Sequence, residues 1–259
     1  MKDNKNTKSI KKYQKQILFL LYKFRFLTIN QLQKYFNHKD PHRVKERLKT
    51  LRENKYIYAI KDTKNPTKPF IFCLDTKARH ILQEDENNDK SFLERIYKEK
   101  KLTENFRNHC LFIFDIYLFF LKQQARDTEL SFFTPQDLIG YDYFPDELPD
   151  AYIAVNSKEG TDRYFLDLYD GYKNPAFLPR QRIKQYISYC ECGDWQANTN
   201  NSPFPLILFI LQDEKRKKHI YYYGKAVLEK TFEDISLFLT TQDAIRFTKD
   251  KTSIWQKVE

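Results

Sequence analysis

The stretch LTINQLQKYF at residues 27–36 carries a helix-start signal inside a strongly basic part of the chain. Thr28 is followed three residues later by Gln31, which is the spacing of a capping box. In that motif each side chain bonds to the backbone N–H of the other residue. Apolar residues then recur at helical spacing as far as Phe36. The stretch therefore predicts a helix that begins directly after Thr28.

Helical periodicity continues on both sides of this segment. Upstream, apolar residues recur at helical spacing over residues 10–25, and lysines occupy much of the other face. Downstream, Asp40-Pro41 is typical of a helix start, because aspartate can cap a helix and proline suits its first turn. Val44, Leu48 and Leu51 then form one apolar stripe. The pattern predicts three successive helices.

A hairpin is predicted after the third helix. Residues 56–60 and 69–74 are strand-like, and the polar stretch 61–68 between them favours a turn. A short helix over residues 76–83 would close this part. Three helices followed by a two-stranded wing are typical of a winged helix-turn-helix, in which the third helix enters the major groove of DNA.

The third predicted helix and the wing are rich in basic residues. We predict groove contacts by Arg43 and Lys45 and phosphate contacts by Lys49 and Arg52. The alternative is a winged helix that contacts proteins. The full set of candidate DNA-binding residues is His42, Arg43, Lys45, Arg47, Lys49, Arg52, Lys61, Lys64 and Lys68.

The charge of the chain is divided unevenly. Its 259 residues carry a net charge of +10, but residues 1–80 carry +15 and residues 81–259 carry −5. A basic module attracts polyanions, and nucleic acid is the first candidate, ahead of an anionic membrane surface. The acidic stretch DENNDK at residues 85–90 marks a boundary. We therefore predict a DNA-binding domain over 1–84 and a second domain over 85–259.

Several other classes of protein are excluded or disfavoured. The most apolar segment, residues 110–121, is about a dozen residues long, whereas a membrane helix needs about 20. We expect a core helix there and a soluble, cytoplasmic protein that binds double-stranded DNA and no membrane. Four cysteines do not make a disulfide scaffold, and the C-x-C at residues 190–192 lacks the second pair that a zinc site needs.

The second half alternates strand-like and helical segments. The run PLILFIL at residues 205–211 is fully apolar, so we expect it in the centre of a sheet that is covered on both faces. This alternation indicates a mixed α/β domain. The other predicted strands are 130–134, 150–155, 163–169 and 236–241, and the predicted helices are 91–101, 103–126, 178–190 and 218–230.

Two carboxylates on neighbouring predicted strands form a candidate metal site. Asp150 opens one strand and Asp167 lies near the end of the next, an arrangement that restriction-type nucleases use in the pattern P-D…(D/E)-x-K to hold Mg²⁺ or Mn²⁺. Tyr169 stands at the lysine position, so Lys184 on the following helix is the substitute candidate. The other interpretation is that both aspartates are ordinary turn or edge residues. Under that interpretation no cofactor is expected.

Three segments in the first half share spacing with one protein family. Residues 16–32 are similar to I-L-x-x-L…L-T-x-x-Q-L. Val44, Leu48 and Leu51, followed by Lys55-Tyr56-Ile57, are similar to R-L-x-x-L-x-x-x-G-L-I. Residues 72–82 are similar to Y-x-L-T-x-x-G-x-x-x-L.

The second half continues the similarity. Asn108-His109 resembles a family helix with histidine, and Pro149-Asp150-Ala151 resembles P-D-G. Residues 165–169 resemble F-x-E-x-D, with Tyr169 in the last place and Asp170 one residue late. Arg182 and Tyr186 have the spacing of K-x-x-x-Y, with arginine in place of lysine. By these motifs the chain resembles the replication-relaxation proteins of plasmids and other mobile elements.

The resemblance implies a winged-helix DNA-binding domain joined to a restriction-nuclease-like α/β domain. It also implies a role in the replication or transfer of a mobile element, or in the regulation of these events. The chain departs from the family pattern at residues 77–79, where a glycine is usual, at Ala151, at Asp167, where glutamate is common, and at Tyr169. From the residues alone His109 is interpreted as a core residue of an apolar helix.

The sequence favours a duplex-DNA-binding protein whose second domain has lost catalysis. Two alternatives stay open: a metal-dependent endonuclease that uses Asp150 and Asp167, and a transcription regulator whose second domain binds a ligand or a protein. A homodimer is one alternative for the oligomeric state, because winged-helix proteins often dimerise.

Overall fold

A computed structural model describes residues 10–171, 177–248 and 253–259. The chain divides into two units, residues 1–103 and 104–259. In the first unit the described elements are α1 (Lys12–Phe24), β1 (Leu27–Thr28), α2 (Ile29–Tyr35), α3 (His42–Glu53), β2 (Ile57–Ile60), β3 (Ile71–Leu74), α4 (Ala78–Leu82), α5 (Lys90–Glu94) and a 3-10 helix (Ile96–Lys101).

The capping box that the sequence predicts is present at the start of α2. The backbone N–H of Gln31 donates to Oγ1 of Thr28 at 3.3 Å, and the backbone N–H of Thr28 donates to Oε1 of Gln31 at 3.0 Å. Before α3, Oδ1 of Asp40 accepts the backbone N–H of His42 at 2.8 Å, and the helix begins at His42, one residue later than predicted, with Pro41 in the N-cap position. Local side-chain chemistry thus sets the start of both helices.

The three helices pack their apolar stripes onto a small antiparallel sheet. Within the described residues the strands have the order β1-β3-β2, and β2 and β3 form the predicted hairpin. Val44, Leu48 and Leu51 of α3 are buried together with Ile17 and Leu21 of α1. This burial fixes which face of α3 points to solvent.

The boundary of the first unit lies further along the chain than the sequence indicated. The polar stretch 85–90 does not separate the units, because the chain returns to the same core with Phe92, Leu93 and Ile96. The guanidinium of Arg25 also pairs with the carboxylate of Glu99 at 2.6 Å. The division therefore lies after residue 103 instead of residue 84.

The two units differ in charge. Residues 1–103 contain 26 Lys and Arg against 12 Asp and Glu, a net charge of +14, and residues 104–259 carry −4.

Lys55 ends α3 in the left-handed backbone region, with a φ of 60°. Its N–H donates to the carbonyl of Arg52, and the N–H of Tyr56 donates to the carbonyl of Leu51. This pair of bonds is a Schellman motif, whose left-handed residue is usually glycine. Lys55 stands where the family pattern quoted above has its glycine, so the chain accepts a backbone cost of roughly 1 kcal/mol at that point.

In the second unit the described elements are α6 (Glu104–Gln123), β4 (Glu129–Phe133), α7 (Pro135–Leu138), β5 (Ala151–Asn156), β6 (Thr161–Tyr169), α8 (Phe177–Cys192), α9 (Asp194–Asn198), β7 (Leu206–Leu211), α10 (Glu214–Leu228), β8 (Leu237–Thr241), α11 (Gln242–Phe247) and β9 (Gln256–Lys257). Helices and strands alternate as predicted, and the fold class is mixed α/β. None of the described helices is long and apolar enough to span a bilayer.

One mixed sheet organises the second unit. Its described strands have the order β4-β5-β6-β7-β8-β9. The β6, β7 and β8 strands are parallel to their neighbours in that group, and β4, β5 and β9 pair antiparallel. The apolar strand β7 lies in the middle of the parallel group, as its sequence predicts. Phe165, Tyr186, Trp195 and Phe209 pack in the core on one side of the sheet.

We predict that Lys55→Gly stabilises the first unit by about 0.5–1 kcal/mol. Glycine removes the cost of the left-handed backbone conformation, which is roughly 1–2 kcal/mol for other residues. Part of this gain is lost, because glycine gives the unfolded chain more conformational entropy. Hydrogen–deuterium exchange of the peptides that cover α1 and β3 should become slower. Lys61→Gly is the matched control, since Lys61 is also exposed and has no positive φ. Faster exchange in Lys55→Gly than in the unmodified chain would contradict the assignment of strain.

Candidate functional site

Asp150 and Asp167 lie side by side at one end of the sheet of the second unit. Ala151 pairs with Leu166 across β5 and β6, so the next position of the antiparallel register places Asp150 opposite Asp167. Both residues line a cavity of about 180 Å³. The structure thus brings together the two carboxylates that the sequence singled out.

The carboxylate of Asp150 is engaged on both oxygens. Its Oδ1 lies 3.0 Å from Nε2 of His109, and its Oδ2 accepts the backbone N–H of Leu168 at 2.7 Å. The other ring nitrogen of His109, Nδ1, lies 3.0 Å from Oδ2 of Asp170. Because carboxylates can only accept hydrogen bonds, both nitrogens of His109 act as donors and the ring is an imidazolium.

The surroundings of His109 favour the charged form of its ring. Burial disfavours the imidazolium, but the charges of Asp150 and Asp170 and the hydrogen bonds to them outweigh that penalty and raise the pKa of His109 to about 10. Burial would raise the pKa of Asp150, but the charge of His109 and the N–H of Leu168 lower it below its ordinary value. Helix α6 and strand β5 are therefore joined by an ion pair that persists at neutral pH.

The second carboxylate has its own cation. Nε of Arg182 lies 3.3 Å from the carboxylate of Asp167, and the hydroxyl of Tyr186 donates to it at 2.7 Å. Arg182 is 4% exposed and Asp167 is 7% exposed. The remaining nitrogens of Arg182 donate to the carbonyl of Glu147 at 2.6 Å and to the hydroxyl of Tyr186 at 3.0 Å. Burial raises the pKa of Asp167 to about 6 despite its partners.

Lys184 does not enter this site. It is exposed on α8, whereas Arg182 and Tyr186, four residues apart, share the buried face of that helix. The prediction that Lys184 takes the place of the missing lysine is therefore wrong. Lys184 is two residues after Arg182, and two residues along a helix rotate a side chain by about 200°. Tyr169, at the lysine position of the nuclease pattern, also lines the cavity, and burial raises its pKa well above the ordinary value.

His109 is the site residue that the sequence argument misplaced. The apolar neighbours of His109 on α6 suggested a core residue, but its two ring nitrogens join Asp150 to Asp170. The Asn108-His109 similarity to the family pattern was the signal that pointed to it. The spacing along the sequence could not show that a residue 41 positions before Asp150 would reach it.

Groups of the protein engage both carboxylates. Both oxygens of Asp150 are already hydrogen-bonded, and Asp167 already has Arg182 as its counter-ion. Within the described ranges, no group of three or more His, Cys, Asp or Glu side chains has the arrangement of a metal site. The two cations His109 and Arg182 thus place positive charge beside both carboxylates.

Helix α3 is the second candidate site, and most of its predicted contact residues are exposed. Arg47 is the exception, since its guanidinium lies over the ring of Tyr13 at 4.2 Å and Nη1 lies 3.1 Å from Nε2 of His38. On the wing, Lys68 pairs with Asp62 at 2.8 Å. The exposed members of the predicted set are His42, Arg43, Lys45, Lys49, Arg52, Lys61 and Lys64.

Comparisons with known proteins give one family and one structure. A family model described as Replication-relaxation matches residues 18–204. The structure of the restriction endonuclease FokI is similar with a TM-score of 0.35 and 12% sequence identity, and the match covers 90% of this chain and 42% of that one. The chain thus spans less than half the length of that structure. No curated protein matches the chain in sequence.

We predict that His109 stabilises the second unit in a pH-dependent way. Its folded pKa of about 10 lies above the ordinary value of 6.5, so its contribution is complete below pH 6.5 and is lost as the pH rises through 10. The difference in unfolding free energy between the unmodified chain and His109→Gln should shrink over that interval. Both tryptophans, Trp195 and Trp255, belong to the second unit, so urea unfolding followed by tryptophan fluorescence reports on it.

The control for this measurement is His80→Gln. His80 is exposed on α4 in the first unit. Its substitution should leave the tryptophan transition unchanged at every pH. A His109→Gln difference that is constant from pH 6 to pH 10 would show that the ring is not an imidazolium in the folded protein.

Proposed function

Because the chain belongs to the replication-relaxation family, we propose that it is a duplex-DNA-binding protein of a plasmid or another mobile element. Its role is in the replication or transfer of that element, or in the regulation of these events. The first unit binds the DNA through α3, and the hairpin β2–β3 acts as the wing. The second unit does not cleave DNA.

The exposed cationic face of α3 is the observation that supports DNA binding most directly. Arg43, Lys45, Lys49 and Arg52 are all exposed, and in the described part of the chain none of them forms an ion pair. Burial of the apolar stripe of α3 holds these side chains toward solvent. Lys45, Lys49 and Arg52 follow one another at intervals of four and three, so they share one face of α3, and unpaired cations on such a face suit contacts to the major groove and its phosphates.

The charge of the whole first unit supports the same conclusion. A net charge of +14 over residues 1–103 attracts duplex DNA over a Debye length of about 10 Å and gains free energy from counterion release. On the wing, Lys61 and Lys64 are exposed at the polar turn and suit phosphate contacts. Lys68 contributes less, because Asp62 already balances its charge.

The carboxylates of the second unit support a structural role. Each of Asp150 and Asp167 is paired with a buried or half-buried cation, and Asp167 is buried as well. Breaking one such pair leaves an uncompensated charge, at a cost of about 3–5 kcal/mol. The site therefore ties α6 and α8 to the sheet, and the catalytic assignment of Asp150, Asp167 and Lys184 is not retained.

We predict that Arg43→Ala combined with Lys45→Ala weakens binding to a 30-base-pair duplex by at least about 5-fold at fixed salt. The slope of log Kd against log salt should change little, because Arg43 and Lys45 are assigned to groove contacts, whereas each lost phosphate contact would lower the slope by about 0.9. Fluorescence anisotropy with a labelled duplex measures both quantities. Lys158→Ala combined with Lys230→Ala removes the same charge from exposed positions of the second unit and is the control. Equal weakening in both double variants would contradict the assignment to α3.

A second prediction concerns cleavage. Supercoiled plasmid incubated with the full chain and Mg²⁺ or Mn²⁺ should stay intact, because Arg182 and His109 occupy the coordination environment of the two aspartates. Agarose electrophoresis detects nicked and linear products. Nicking that disappears in both Asp150→Ala and Asp167→Ala would overturn this proposal and restore the endonuclease alternative.

A further inference from the structure

Helices α8 and α10 of the second unit present a basic and aromatic strip to solvent. The unit to which the strip belongs has a net charge of −4. An excess of basic residues in this unit therefore does not explain why several cations lie together on two neighbouring helices. The strip, named here the α8–α10 strip, consists of Arg180, Lys184, Lys215, Lys218, His219 and Tyr222.

The helical period explains why these residues share one surface. On α10, Ile220 and Gly224 are buried, and a side chain at position 224 would meet Leu237 of β8 at 3.1 Å. The opposite face carries the exposed residues Lys215, Lys218 and Tyr222, which follow one another at intervals of three and four. The close packing at Gly224 thus holds the basic face of α10 outward.

Arg180 joins α8 to this face. Its Nη2 donates to Nε2 of His219, and its guanidinium lies 5.0 Å from the centre of the Tyr223 ring. Lys184 lies one turn further along α8 and is exposed. The two helices therefore contribute cations to one continuous surface.

The carboxylates near the strip are already occupied by other cations. Glu214 pairs with Lys217 at 2.8 Å, Asp213 pairs with Arg216, and Glu229 lies 3.8 Å from Lys225. Lys184, Lys215 and Lys218 form no ion pair in the part of the chain that the structure describes. The strip therefore keeps its positive charge, and its complement is a polyanion.

Tyr222 indicates which polyanion fits. Its side chain is 59% exposed and stands one turn after Lys218, so a flat ring lies beside a phosphate-binding cation. Alternating cations and exposed aromatic rings are how proteins bind single-stranded nucleic acid, where bases stack on the rings. Duplex bases are stacked on one another and offer no face to such a ring. We infer that the α8–α10 strip binds single-stranded DNA, a function beyond the duplex binding proposed for the first unit.

The test uses the full chain and a labelled oligothymidylate of 20 nucleotides, which forms no duplex. Lys215→Ala combined with Lys218→Ala should weaken binding and reduce the salt slope by about 0.7 for each lost phosphate contact. Tyr222→Ala should weaken binding by at least roughly 5-fold, and Tyr222→Phe should retain it, because phenylalanine keeps the stacking face. Anisotropy titrations at several salt concentrations measure all four proteins.

Two further variants separate this inference from the first proposal. Arg43→Ala with Lys45→Ala should weaken oligothymidylate binding less than it weakens duplex binding, since those residues belong to α3, and Lys158→Ala with Lys230→Ala should leave oligothymidylate binding unchanged. Unchanged affinity in the Lys215 and Lys218 double variant would overturn the inference. It would also be overturned if that double variant weakened duplex binding as strongly as single-strand binding, or if Tyr222→Phe behaved like Tyr222→Ala.

Discussion

Two carboxylates that face each other, Asp150 directly before β5 and Asp167 in β6, impose the constraint on which the second unit depends. Neighbouring charges of one sign in a poorly solvated place are costly, so each must be protonated or paired. His109 from α6 meets Asp150, and Arg182 from α8 meets Asp167. The cations come from two different helices, so the same interactions that neutralise the aspartates also fix both helices against the sheet.

The same arrangement uses several hydrogen-bond donors of the protein on the two carboxylates. Here the oxygens of Asp150 are used by an imidazolium and a backbone N–H, and Arg182 fills the surroundings of Asp167 with three of its own donors engaged. The charge of a lysine at position 169 would be concentrated on one nitrogen. The guanidinium of Arg182 instead bonds to a carboxylate, a carbonyl and a hydroxyl at the same time.

Charge has two separate uses in the chain. In the first unit it is abundant and lies on a helix whose inner face is fixed by Val44, Leu48 and Leu51. In the second unit the total is acidic, yet α8 and α10 gather lysines on one surface while the nearby carboxylates are paired elsewhere. The net charge of the first unit indicates its basic surface well. The net charge of the second unit does not indicate the α8–α10 strip, because only the pairing of individual groups shows which cations have no counter-ion.

The sequence by itself determined the elements whose causes are local. The capping box at Thr28, the apolar stripes of α1 and α3 and the central strand β7 follow from residues close in sequence, and so does the mixed α/β class. Short elements such as β1, α7 and β9 were missed, because two to four residues carry too little periodicity. The unit boundary was misplaced, since a polar segment marks a surface loop whether or not the chain afterwards returns to the same core. Only the tertiary structure decided the partners of Asp150 and Asp167, because electrostatic pairing depends on distance in space, and His109 and Arg182 reach them from helices 41 and 15 residues away along the chain.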